Sequence, residues 1–245
     1  MDQTQSGNQS QGNRSVENPL HIEAIQYPGD TGEIKAHLAR PIDSKQHPGV
    51  LVIHENRGLN SHIRDVAERV ALKGFVAIAP DALSLVGGTP ENVDEARSQI
   101  QQLDSASTIK NFVAAVKYLK THPQTTGKVG VMGFCWGGGM TNQVAVHSTD
   151  IQAAVPFYGR QPAPEDVPKI KAALLIHYAS HDERINAGIP AFETALKDAA
   201  IEHTIFIYEG TQHAFFNDTG LRYHEVAAKL AWDRTITFLK QRLIT

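Results

Sequence analysis

Val129-Gly130-Val131-Met132-Gly133-Phe134-Cys135-Trp136-Gly137-Gly138-Gly139 carries an apolar run into a glycine-flanked thiol and then into small residues fit to start a helix. Its centre, Gly133-Phe134-Cys135-Trp136-Gly137, has the Gly-x-nucleophile-x-Gly form of a strand-to-helix elbow, with cysteine in place of serine. A residue lifted above a sheet edge in a strained turn leaves no room for side chains two positions before and after it. Gly133 and Gly137 meet that demand, and Gly138 and Gly139 would let the helix press close to neighbouring strands. The same stretch also reads as a buried cysteine in a glycine-rich turn, because free cysteine is among the most buried residue types.

Outward from the elbow, strand-like and helix-like patterns alternate. Residues 49–54, 75–79, 151–157, 172–178 and 204–208 are short apolar runs like 129–133, as expected of strands covered on both faces. Helical spacing joins Ile63, Val66, Ala67, Val70 and Ala71, and again Ile109, Phe112, Val113, Val116 and Leu119. It recurs in Ile189, Phe192, Leu196 and Ala199, and in Ala227, Leu230, Ala231, Ile236 and Leu239. Ahead of all these, residues 22–27 and 33–40 flank the turn-rich Pro28-Gly29-Asp30-Thr31-Gly32 and read as an antiparallel pair. The alternation implies right-handed βαβ crossovers. The fold class is therefore α/β, a mainly parallel sheet flanked by helices on both faces, with an N-terminal antiparallel strand pair. Without repeat or internal linker, residues 21–245 read as one domain. Residues 1–20, rich in Gln, Asn, Ser and Gly, read as a flexible polar segment with too little apolar surface to offset its ordering entropy.

The 245 residues are 41% hydrophobic and 20% charged, with a formal net charge of −3, enough for a substantial core. No long basic run is present to bind phosphates, and no stretch approaches the roughly 18 apolar residues of a membrane span. Neither nucleic acid nor membrane is an expected partner. A single cysteine excludes an internal disulfide and a multi-cysteine metal cluster, so Cys135 needs its own reason, packing or chemistry. Residues 1–20 lack the apolar stretch of a secretory signal. The cytoplasm is the expected compartment, or the periplasm if an upstream export signal was removed.

An elbow nucleophile needs a base and an orienting acid, expected in the chain order nucleophile, acid, histidine. Asp182 follows the apolar run 172–178, and His213 follows 204–208. In an open parallel sheet such loops converge at the carboxyl edge. A helix N-terminus contributes at most about 2 kcal/mol, which lowers a thiol's pKa from about 8.5 by roughly 1.5 units. That is insufficient, so His213 must accept the proton, with Asp182 holding the ring and stabilising the imidazolium. His54-Glu55-Asn56-Arg57-Gly58 lies past another strand, where an oxyanion donor belongs; the backbone amides of Asn56 and Trp136 are the candidates. Glu55 is unusual there, since a carboxylate near a thiolate repels it and keeps the sulfur protonated. Such a thiol would be neutral at rest until a substrate displaced Glu55, although spacing alone equally permits a surface Glu in a polar loop.

Taken together, His54-Glu55-Asn56-Arg57-Gly58, Ala79-Pro80-Asp81, Gly133-Phe134-Cys135-Trp136-Gly137-Gly138, His181-Asp182 and Gly210-Thr211-Gln212-His213-Ala214-Phe215 resemble the dienelactone hydrolase family of α/β-hydrolases, the carboxymethylenebutenolidase-like proteins. The resemblance runs from about His21 to the C-terminus. It implies an α/β-hydrolase fold and cleavage of a small ester or lactone through a thioester, without a cofactor. It also implies Cys135 as nucleophile, Asp182 as acid, His213 as base and Glu55 as a thiol-gating carboxylate. One position departs. Members that hydrolyse dienelactone use an arginine four positions after the catalytic histidine to hold the substrate carboxylate, and here that position is Asn217. An amide lacks the charge and the bidentate fork, so neutral substrates are expected to fare comparatively better. The chain looks closer to a broad branch marked by His-Glu-Asn-Arg-Gly and by Phe157-Tyr158-Gly159-Arg160-Gln161-Pro162. Arg57, Arg97 and Arg160 are candidate anion contacts, and Tyr158, Phe215 and Asn217 further candidate substrate contacts. Trp136 is placed at the pocket and Phe134 in the core.

His177 and His181 have the i, i+4 spacing of a metal pair, but their position at a strand end defeats the helical argument, and no metal is expected. Two rival functions stay in view. One is a redox-sensing or thiol-transfer protein using Cys135, against which the lack of a second cysteine counts. The other is a non-catalytic binding module on a hydrolase scaffold. Monomer and homodimer both remain open.

Overall fold

The computed structural model describes residues 19–244. Its strands are β1 (Leu20–Pro28), β2 (Glu33–Pro41), β3 (His47–Ile53), β4 (Val76–Pro80), β5 (Thr125–Phe134), β6 (Ala153–Phe157), β7 (Ala173–His181) and β8 (His203–Gln212). They form one sheet in the order β1-β2-β4-β3-β5-β6-β7-β8. β1 pairs antiparallel with β2, Tyr27 opposite Ile34, and β2 pairs antiparallel with β4. Every other pairing is parallel. The expected architecture, antiparallel pair included, is the one observed. The segment read as flexible lies outside the described residues except for Pro19 and Leu20, and Leu20 opens β1.

The described residues include seven α-helices: α1 (Ser61–Ala71), α2 (Val93–Gln102), α3 (Ser105–Thr121), α4 (Trp136–His147), α5 (Glu183–Asn186), α6 (Ile189–Asp198) and α7 (Glu225–Leu243). Side-chain caps fix several starts: Asn60 accepts from the Ile63 amide, Asn92 from Asp94 and Glu95, and Asp104 from Ser107. Alternate strand residues point to opposite faces, and the core divides accordingly. Val50, Val52, Met132 and Val155 pack with α1 and α7, while Leu51, Ile53, Val131 and Ala154 pack with α3, α4 and α6. Apolar runs without alternation are what a strand needs when both faces meet helices, and Val50 to Ile53 have no exposed surface.

The elbow depends on close backbone approach. A Cβ at Gly133 would lie 2.3 Å from the Gly137 carbonyl oxygen, and one at Gly137 would lie 2.3 Å from the His54 oxygen. Gly138 is equally constrained, 2.4 Å from the Phe157 oxygen. Gly139 is not: a Cβ there would meet Arg160 at an ordinary 3.6 Å, which corrects the expectation that this glycine serves close packing. No helix among the described residues is long and apolar enough to cross a membrane.

Candidate active site

The parallel strands β3, β5, β7 and β8 deliver Glu55, Cys135, Asp182 and His213 to one edge of the sheet. Cys135 joins β5 to α4 with φ 57° and ψ −117°, a conformation costly for any residue with a Cβ. Two backbone bonds hold it: its N–H donates to Phe157 at 3.0 Å, and its carbonyl accepts from Gly139 at 3.1 Å. The cysteine is half-buried and borders a cleft, which separates it from a packed core thiol.

Asp182 and His213 approach from the neighbouring loops. Asn186 donates to the Ala179 carbonyl at 2.8 Å and braces the turn that carries Asp182. Positive φ at Gly210 and Ala214 bends the loop around His213, and the Thr211 hydroxyl donates back to Tyr208 at 2.7 Å. His213 Nδ1 lies 2.5 Å from Asp182 Oδ2, a charge-assisted bond that places a proton on Nδ1 and leaves Nε2 for other partners. Burial alone would lower the His213 pKa, but the bonds to Asp182 and the adjacent Cys135 outweigh it and raise the value to about 9. A thiol, an imidazole and a carboxylate thus come together from three loops.

Two adjoining cavities, about 430 Å³ and about 400 Å³, share Asn56, Cys135, Arg184 and His213. The first is largely apolar, walled by Ile100, Leu103, Trp136, Met140, Tyr158 and Ile185, with Arg160 at its border. The second is basic, with Arg57, Arg97, Arg184 and Arg222 set against a single carboxylate, Glu55. Arg97 also pairs with Asp94 at 2.9 Å on the surface. Arg184 and Arg222 were not singled out in the sequence. Arg184 stands two residues after Asp182, and that nearness to a strand end is its one signal in the sequence, whereas Arg222 sits in an irregular loop without pattern.

Glu55 is buried rather than on the surface, and its Oε2 accepts from Asn217 Nδ2 at 2.6 Å. The Asn217 oxygen accepts from the Thr219 N–H and hydroxyl at 3.0 and 2.7 Å. Asn217 borders the second cavity, with one amide N–H given to Glu55 and its oxygen taken by Thr219. Phe215 lines neither cavity. It is fully buried against Tyr158 and Tyr208, at ring separations of 5.5 and 5.0 Å, which corrects its reading as a substrate contact. Phe134 is core, as expected. Tyr158 is strained at φ 37° and its hydroxyl is buried. His177 is engaged by Tyr208 and Thr235 at 2.8 and 3.0 Å. Asp81 accepts from Leu83 and Thr89, and Thr89 accepts from the Leu59 amide, so the Ala79-Pro80-Asp81 motif ties the loops after β3 and β4 together.

Residues 34–243 match the family described as "Dienelactone hydrolase family". A "Putative carboxymethylenebutenolidase" of Saccharolobus solfataricus is 33% identical over 255 residues, covering 89% of this chain and 97% of that one. A Synechocystis protein of the same name is 35% identical over 228 residues, covering 86% and 92%. The crystal structure of a "Putative Dienelactone Hydrolase" from Klebsiella pneumoniae is similar with a TM-score of 0.84 at 25% identity, covering 91% of this chain and 100% of that one.

Proposed function

The chain belongs to the dienelactone hydrolase family, which makes it a hydrolase of ester or lactone bonds, and we propose that Cys135 carries the acyl group as a thioester. The observation that carries this reading is the 2.5 Å contact of His213 Nδ1 with Asp182 beside a thiol held on a strained elbow. His213 Nε2 takes the thiol proton as sulfur bonds to the acyl carbon, and the carbonyl electron pair moves onto oxygen. The Asn56 and Trp136 amides face that oxyanion. Its collapse breaks the carbon–oxygen bond, and His213 returns the proton to the leaving oxygen. Water then attacks the thioester with His213 as base, releasing the acid and restoring the thiol. A redox-sensing or thiol-transfer role, or a silent binding module, leaves the Asp182–His213 pair without a use.

For the substrate, the basic cavity favours a ligand with an anionic group, against the expectation drawn from Asn217 alone. Charged hydrogen bonds are worth about 1.5 to 3 kcal/mol, or roughly 10- to 100-fold. In a panel of lactones and carboxylic esters with and without a free carboxylate, the acidic members are expected to show at least about 10-fold higher kcat/KM. The preference should fall with salt and with Arg222→Gln. Faster turnover of the neutral members would overturn the anionic preference.

Glu55 is proposed to gate the thiol. Its buried carboxylate, steadied by Asn217, borders the same cavity as Cys135 and opposes a thiolate there. Glu55→Gln is expected to speed iodoacetamide alkylation of Cys135 at neutral pH by about 10-fold, the effect of about one pKa unit. An equal or slower rate removes the gate.

A further inference from the structure

His54 is a titratable group with no exposed surface that the proposed chemistry does not use. Both ring nitrogens are occupied by backbone: Nδ1 lies 2.6 Å from the Glu55 carbonyl oxygen, and the Ala82 N–H donates to Nε2 at 3.1 Å. A carbonyl oxygen can only accept and an amide N–H can only donate. The neutral ring therefore carries its proton on Nδ1. Burial pushes the His54 pKa down and favours this neutral form. The imidazole also lies against the Trp136 indole, with centroids 5.3 Å apart and planes at 17°.

The consequence lies in the Glu55–Asn56 peptide. No cis peptide occurs among the described residues, so this carbonyl and the Asn56 N–H point in opposite directions across one plane. Fixing the carbonyl to a buried imidazole turns the Asn56 N–H away from His54. Asn56 borders both cavities beside Cys135, and its N–H has no backbone acceptor among the described residues. Trp136, whose amide is the other oxyanion donor, stacks on the same ring. Resting on the hydrolase reading above, we propose that His54 is a positioning residue that aims the Asn56 N–H at the oxyanion, with its Nδ1–H as the working atom. It acts through the peptide and does not touch the substrate.

Two variants separate the atoms. His54→Asn places an amide near the Nδ1 position and can still donate to the Glu55 carbonyl, whereas His54→Gln reaches the Nε2 position and can accept only from Ala82. With p-nitrophenyl acetate, His54→Gln is expected to lose about 100-fold in kcat with KM within about twofold, the usual effect of a lost oxyanion donor. His54→Asn is expected to stay within about fivefold of wild type. Iodoacetamide alkylation of Cys135, which forms no oxyanion, should be unchanged in both. A folded His54→Gln protein with wild-type kcat, or equal losses in both variants, overturns the inference. Should either variant fail to fold, ¹⁵N NMR of the wild type decides. The inference expects the proton on His54 Nδ1 and a downfield shift of the Asn56 amide when an aldehyde forms a thiohemiacetal on Cys135; an unmoved Asn56 amide overturns it. Wild-type turnover that survives Cys135→Ala would instead defeat the thioester reading, and the Asn56 amide shift would still judge the positioning of the peptide.

Discussion

Replacing Cys135 by alanine is expected to lower ester turnover by at least about 10⁴-fold while leaving the melting temperature within a few degrees of wild type. Removing a nucleophile that acts as one unit with its base commonly costs about 10⁴- to 10⁶-fold, the residue of activity coming from oxyanion donors and binding. The fold should tolerate the change because Cys135 is half-buried at a cavity wall and the two bonds holding the turn, to Phe157 and from Gly139, are made by its backbone. Alanine has the same Cβ as cysteine, so the strain at φ 57° is inherited rather than relieved. Steady-state hydrolysis of p-nitrophenyl acetate measures the loss. Intact-protein mass spectrometry with a slowly deacylated ester should show one acyl adduct on the wild type and none on the variant. Turnover that survives the substitution refutes the thioester, and reversible oxidation of Cys135 without any ester turnover would favour the thiol-redox alternative.

The sheet was legible because strands covered on both faces lose the alternation of a half-buried strand and stand out as apolar runs. Helix α2 leaves no clear period in the sequence, since Ala96 and Ile100 are its buried positions and two residues make too thin a stripe. Cys135, Asp182 and His213 could be placed because each stands just past a strand end. What stayed hidden was long-range or irregular. From spacing alone Glu55 reads equally as a gate or as a surface carboxylate, and its burial emerges only when Asn217, 162 residues away, donates to it. Phe215 follows the histidine closely enough to suggest the pocket, but the positive φ of Ala214 turns the chain and sends the ring beneath Tyr158. The basic cavity is assembled from loops without any period, and His54 is silent in sequence because its role depends on which backbone groups meet its two nitrogens.

Asp182→Asn is expected to reduce kcat by about 10⁴-fold, nearly as much as loss of the thiol, even though the residue does not touch the substrate. The carboxylate accepts from His213 Nδ1, so that whenever the ring is neutral Nε2 is the nitrogen left without a proton; an amide can donate to Nδ1 instead and stabilise the wrong tautomer. The charge matters as well. His213 is lifted from its usual 6.5 to about 9 against the effect of burial, the bond to Asp182 being the leading cause of the rise. A raised folded-state value means that this contribution to stability is full below about pH 6.5 and is lost as pH climbs through about 9. The stability deficit of Asp182→Asn should therefore be greatest in mildly acidic solution and shrink above about pH 9, read from urea midpoints across that range. Imidazole titration by NMR should show the His213 pKa falling toward its ordinary value in the variant. A full-strength kcat with a displaced titration would mean that the carboxylate tunes the charge of His213 without setting its tautomer; an unmoved titration would mean that the short bond to Asp182 is not what raises it.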